Sequence, residues 1–323
     1  MTPFRKPPGA VEALDIYQAH LDVSTQLVFT GAAEAYCAHA QLPFVFRTGE
    51  GVAVIETVAD LADDIRQVHH WLISRGATDY HRIARSARHL DDDTIEGFHL
   101  TYALQGALHI VEPYASRMLL RRGDDGMWRA SFAEHELRDA LYPGHDARAQ
   151  HGLFAGTWDR APSGLSRDQA PALPLYRATI EAVAEAVNRR DFDGVLAHYD
   201  LPYQVHDETG DTLVETAAVA REHYEMFLKI IAEAGADRIR VNASSAVFLT
   251  DDRLLGYHEA SLMRGDDLRF GPIRSRFLLI HKDGDWRVKS VANAIAKAVP
   301  DAGTLVLSPA IPTLREIEKR TRT

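Results

Sequence analysis

The sequence predicts an α+β protein made of two tandem copies of one unit, and three observations carry that prediction. A shift of 159 positions brings the halves of the 323-residue chain into register. Each half repeats the same succession of helical and alternating apolar patterns. A stretch rich in proline and glycine separates them.

The register holds without a gap from Ala38 to Arg117. Ala38-His39-x-x-Leu42-Pro43 falls on Ala197-His198-x-x-Leu201-Pro202, and Glu56-Thr57-x-Ala59 on Glu215-Thr216-x-Ala218. Gly97-Phe98-His99 falls on Gly256-Tyr257-His258, and Pro113-x-x-Ser116-Arg117 on Pro272-x-x-Ser275-Arg276. After one deletion, Asp125-Gly126-Met127-Trp128-Arg129 matches Asp283-Gly284-Asp285-Trp286-Arg287. Internal repetition on this scale defines the organisation of a chain before any other signal. The expected domains are 9–138 and 173–298, joined by a linker over 139–172 and followed by a tail over 299–323 that ends in a short charged helix after Pro312.

Each element can be read twice. The first is an amphipathic helix, with Leu14, Tyr17, Leu21, Ser24 and Val28 in one copy and Leu173, Tyr176, Ile180, Val183 and Val187 in the other at helical spacing. A short second helix ends near His39 or His198, where a cation favours the helix dipole. A strand follows, Phe44 to Arg47 or Tyr203 to His206. The third helix starts at Thr57 or Thr216, both suited to N-capping, and Thr57-x-x-Asp60 resembles a capping box. Strands are expected near 81–90, 97–110, 114–122 and from Trp128, matched by 238–249, 254–264, 273–281 and 286–295. Asp-Asp and Asp-Gly pairs supply their tight turns.

Helix, helix, strand, helix, then antiparallel strands ending in the Asp-Gly-x-Trp-Arg hairpin of residues 125–129 and 283–287 resembles the nuclear transport factor 2-like (NTF2-like) superfamily, in its SnoaL-like branch. The resemblance implies a curved sheet wrapped around helices to form a cone with a mostly apolar pocket. It also implies sheet-to-sheet dimers, so that the two copies form an internal pseudo-dimer and leave further homodimerisation open. Members include polyketide cyclases, ketosteroid isomerases, dehydratases, epoxide hydrolases and non-catalytic binders, so the fold alone does not choose a function.

Composition removes several classes. A formal charge of −10 opposes sequence-independent nucleic-acid binding. No apolar run has the roughly 18 to 20 residues of a membrane span. The two early cations of MTPFRKPPGAVEALD lack an apolar segment after them, so the N-terminus does not read as a signal peptide and cytoplasmic residence is expected. One cysteine, Cys37, forms no internal disulfide framework. The adjacent His69 and His70 point to different sides of a helix, no ligand spacing recurs, and neither metal nor cofactor is expected.

The candidate catalytic residues are Glu134, His99 and Tyr17. Alternation counted from Trp128 puts Ala130, Phe132 and Glu134 on one face; if that face is concave, Glu134 is a carboxylate of raised pKa in an apolar pocket. The matching residue, Ala292, places such chemistry in the first copy alone. His99 lies mid-strand, where no local backbone reason requires histidine. Strand parity groups it with Thr101 and Gln105, opposite Phe98, Leu100, Tyr102 and Leu104, hence on the outer side. His258 shares a face with Ala260 and Leu262 and reads as inward. Tyr17 and Tyr176 are either phenols aimed into the pocket or core tyrosines with satisfied hydroxyls. Candidate ligand-binding residues are Tyr102, Trp71, Phe132, Tyr176, Tyr203, Tyr224 and His258. Two functions remain: a cofactor-independent isomerase, cyclase or dehydratase moving protons on a small apolar carbonyl compound, or a binder that holds an apolar ligand without turnover.

Overall fold

Apolar stripes make the long helices, and a threonine cap marks where the third helix of each unit starts. In a computed structural model of the chain, residues 8–48, 51–136, 169–207 and 210–293 are described. The first unit opens with α1 (Pro8–Thr30) and the short α2 (Ala33–Cys37). Strands β1 (Ala40–Arg47) and β2 (Val52–Ile55) lead to α3 (Val58–Ser74). The remaining strands are β3 (Asp79–Asp91), β4 (Thr94–Gln105), β5 (Leu108–Arg122) and β6 (Trp128–His135). The Thr57 hydroxyl accepts the Asp60 N–H at 3.1 Å, as a capping residue does, and Leu61, Ile65, Val68 and Leu72 of α3 are buried at helical spacing. On α1, Leu14, Tyr17, Leu21 and Val28 are buried, and the helix packs along β3.

The second unit repeats the order: α4 (Ala172–Asn188), α5 (Phe192–Ala197), β7 (Tyr199–Asp207), β8 (Gly210–Val214), α6 (Ala217–Glu233), β9 (Arg238–Thr250), β10 (Arg253–Arg264), β11 (Asp267–Lys282) and β12 (Asp285–Asn293). Each unit holds one curled six-stranded sheet, ordered β2-β1-β6-β5-β4-β3 in the first and β8-β7-β12-β11-β10-β9 in the second. In both, the first strand runs parallel to the last and antiparallel to the short second strand.

The structure differs from the sequence reading in three places. β2 and β8 were not expected; four or five residues are too few for alternation to show. The strand expected over 97–110 is two strands, broken by a turn at Gly106, whose φ of 55° suits glycine. Its counterpart Gly265, at φ 58°, breaks the second unit at the matching position. The third difference is a β-bulge in β6. Pairing with β5 shifts between Leu119↔Phe132 and Leu120↔Ala130, so Ser131 is an extra residue and the alternation slips by one. The same slip falls at Lys289. Most of the expected linker (residues 139–168) and the whole expected tail lie outside the described residues.

Candidate functional site

One duplicated arrangement organises the helix-facing side of each sheet. In β4, Gly97 leaves the space that the ring of Tyr17 occupies: a Cβ there would sit 2.4 Å from ring carbons. Two residues on, on the same side of the strand, His99 Nδ1 meets the Tyr17 hydroxyl at 2.7 Å. The second unit repeats this with Gly256, Tyr176 and His258, again at 2.7 Å. Burial holds His99 well below the ordinary histidine range, with the Arg82 charge adding to the effect, and pushes His258 down to about 3. Both tyrosines are raised well above their usual range, chiefly by burial. These are neutral hydrogen-bonding pairs over the physiological range. With the tyrosine hydroxyl as donor, each imidazole is the Nε2–H tautomer and offers a donor on its other edge.

Beneath the second sheet lies a cavity of about 240 Å³. Its wall is mostly apolar, including Val187, Phe192, Ala220, Ile239, Ile273 and Val291. Tyr203, Tyr224, His258, Ser275 and Asn293 add polar groups, and Asp207 and His223 also line it. Ser275 Oγ donates to Asn293 Oδ1 at 2.8 Å, and His258 meets Phe277 edge-on at 4.7 Å between ring centres. The Tyr224 hydroxyl is buried without a hydrogen-bond partner among the described residues. Burial pushes Tyr203 up to about 12.

The matching cavity in the first unit holds only about 40 Å³. Arg82, Tyr80, Tyr36 and Leu61 stand where the second unit has Val241, Ile239, Val195 and Ala220, and the larger side chains fill the space. Arg82 donates from Nε to Thr25 Oγ1 and from Nη2 to Ser24 Oγ, each at 2.7 Å. His135 Nδ1 lies 2.6 Å from Ser116 Oγ. Asp64, on α3, lines the same space, and burial, helped by Asp60, pushes its carboxyl up to about 7.

Residues 175–295 match a family model described as NTF2-like protein (DUF6841). The fold is NTF2-like. Similar solved structures include an NTF2-like protein of unknown function from Pseudomonas putida KT2440, 19% identical over 43% of this chain and 95% of that one, at a TM-score of 0.32. Another is an NTF2-like protein with a cystatin-like fold from Novosphingobium aromaticivorans, 21% identical over 41% of this chain and 89% of that one, at 0.30. A ketosteroid isomerase-like protein from Erwinia carotovora atroseptica is 15% identical over 38% of this chain and 93% of that one, at 0.29. No curated protein matches the chain.

The NTF2-like units bring together some of the expected site residues and separate others. Tyr203, Tyr224 and His258 line one cavity, with Tyr176 bonded behind the histidine. Tyr17 is fully buried behind His99, which lines the first cavity; the outer placement expected for His99 is therefore corrected. Its apolar neighbours misled the reading, because in this sheet the outer face of β4 is the more apolar one. Tyr102 lies on that outer face by alternation, and its ring meets His109 edge-on. Trp71 sits in a groove on α3 with the Arg75 guanidinium 4.6 Å from its ring centre.

Glu134 lines neither of these two cavities. The bulge at Ser131 gives the inner side to Ala133 and His135 and turns Phe132 and Glu134 outward. There Glu134 joins a ladder across five strands. Arg88 and Arg117 hold Glu96 at 2.6 and 2.8 Å, while Arg117 and Arg47 flank Glu134 at 3.3 and 3.7 Å. Phe132 lies under both of those arginines, 5.4 and 5.9 Å from its ring centre. Glu134 therefore does not meet Tyr17 and His99, the other two catalytic candidates. The reading also missed Arg82, Asp64 and His135. Their signal was available as positions where the copies differ, the second having Val241, His223 and Asn293. Among the described residues no group of three or more His, Cys, Asp and Glu could hold a metal ion, and no helix is long and apolar enough to cross a membrane.

Proposed function

We propose that the second NTF2-like unit binds a small, mostly apolar molecule carrying one oxygen, without turning it over. The observation that carries this reading is the 240 Å³ apolar cavity with the unpartnered Tyr224 hydroxyl in its wall. A cavity of this kind, with few polar groups, suits ligand capture. An oxygen on the ligand would meet Tyr224 and the Nε2–H of His258. The buried histidine pair does not favour proton transfer: His258, at about 3, is a poor base at neutral pH, and Tyr176 is a poor acid.

Titration with 1-naphthol, followed by its own fluorescence, tests the proposal, with naphthalene as the partner lacking oxygen. Saturable binding of 1-naphthol is expected, with loss in Ala260→Trp, which fills the cavity from β10. Tyr224→Phe should weaken 1-naphthol by up to about tenfold, the worth of one hydrogen bond, and leave naphthalene unchanged. Binding that Ala260→Trp leaves intact would place the ligand elsewhere and defeat the reading.

A further inference from the structure

The cavity of the first unit occupies the same place in the fold as that of the second but has different chemistry. Arg82 is 7% exposed, and its bonds to Ser24 and Thr25 on α1 hold the guanidinium at the cavity wall. His99 is 2% exposed and lines the same space. Its Nδ1 is taken by Tyr17, while its Nε2 is buried with no hydrogen-bond partner among the described residues. A buried polar atom in that state calls for a partner. In the second unit the residue matching Arg82 is Val241, so the cation is particular to this cavity.

We infer that the first unit binds a compact carboxylate, of the size of formate or acetate, through the Arg82 guanidinium and the Nε2–H of His99. A guanidinium presents a planar fork that fits a carboxylate, and charge-assisted bonds are strongest out of water. The space of about 40 Å³ corresponds to roughly three waters, enough for three or four heavy atoms. Phe44, Phe46 and Met118 give the methyl group of acetate an apolar wall. Asp64 faces this space together with Tyr36 from α2, Tyr80 and Arg82 from β3, His99 from β4 and His135 from β6. Because its carboxyl is pushed up to about 7, it takes up a proton near neutrality and stops opposing a bound anion. Binding therefore strengthens as pH falls from 8 to 6. This site is independent of the one proposed in the second unit.

Calorimetric titration of the full chain with sodium formate and sodium acetate, at ionic strength fixed with sodium chloride, tests the inference. One saturable site is expected with a Kd of roughly 0.1–10 mM, within the affinity that so few atoms allow. Acetamide should bind at least tenfold more weakly, and benzoate should be excluded by size. Arg82→Gln should weaken acetate at least tenfold. Should that variant fail to fold, Ala133→Leu fills the space from β6 without changing charge and should abolish binding. The His99 Nε2 resonance should also move on addition of acetate and stay still with chloride. Absence of saturable heat, acetamide as strong as acetate, or unchanged affinity in Ala133→Leu each overturns the inference.

Discussion

Gly256→Ala should destabilise the second unit although alanine suits the extended backbone there. The new Cβ would lie 2.3 Å from Tyr176 ring carbons, where ordinary contact begins near 3.4 Å, so the ring must retreat by about 1 Å. That shift stretches the 2.7 Å Tyr176–His258 bond beyond hydrogen-bonding reach. Overpacking costs about 1–3 kcal/mol and the lost buried bond about 1 kcal/mol. Removing a glycine from a strand interior offsets about 0.5–1 kcal/mol. The net is a loss of about 1–3.5 kcal/mol, or on the order of 5–15 °C in Tm for a unit of this size. Urea denaturation followed by circular dichroism measures it, with the slope checked for constancy. The decisive control is a Tyr176→Ala background, which empties the space above Gly256. There Gly256→Ala should cost less than about 0.5 kcal/mol, a coupling that neighbours show and distant sites do not. Equal losses in both backgrounds would refute the reasoning.

Three further outcomes follow from buried and paired groups. His258 is held down at about 3 in the native state, so between pH 6.5 and 3 the unfolded chain binds more protons. Its contribution is complete above 6.5 and is lost as pH falls through that window. The wild type should lose up to about 1.4 kcal/mol per pH unit more than His258→Phe, and parallel urea curves from pH 7 to 4 would deny it. Asp64 behaves oppositely: raised to about 7, its contribution is complete below its unfolded value of 3.8 and lost as pH rises through 7. Asp64→Asn should therefore gain about 1–3 kcal/mol on the wild type at pH 8 relative to pH 4, and a carboxyl carbon titration should centre near 7. Glu134→Gln should cost about 1–2 kcal/mol by leaving Arg117 and Arg47 beside a neutral group, while 1-naphthol binding in the second unit stays unchanged.

Much of the fold was legible because each element is written twice. The N-cap threonines, the helix stripes and the hairpin turns are local signals, and Thr57 and Thr216 do cap the helices they were expected to start. The inward or outward sense of a strand is not local. Reading Phe98, Leu100, Tyr102 and Leu104 as the core face assumed that the apolar side meets the helices, yet Gly97 and His99 take that side because Tyr17 lies over them. The Glu134 assignment failed for another reason. Parity was counted through Ser131, and one bulged residue reverses every position after it. Comparison of the copies offered no warning, since both carry the bulge.

Agreement and difference between the units therefore carry different information. Glycine, tyrosine and histidine recur as Gly97, Tyr17 and His99 and as Gly256, Tyr176 and His258, with the same packing and the same bond length. A device present in both, around cavities of about 40 and 240 Å³, cannot by itself specify what either holds. It anchors the first helix to the middle of the sheet and leaves one imidazole edge free for use. Specificity lies in the positions that changed: Arg82 against Val241, Tyr80 against Ile239, Asp64 against His223. Exchanging Arg82 for valine removes the charge that favours an anion in the first unit. Placing arginine at Val241 would bury a cation in the larger, apolar cavity of the second. The histidine edge is common to both units; under the two proposals, the residues around it decide whether it meets a carboxylate or the single oxygen of an apolar molecule.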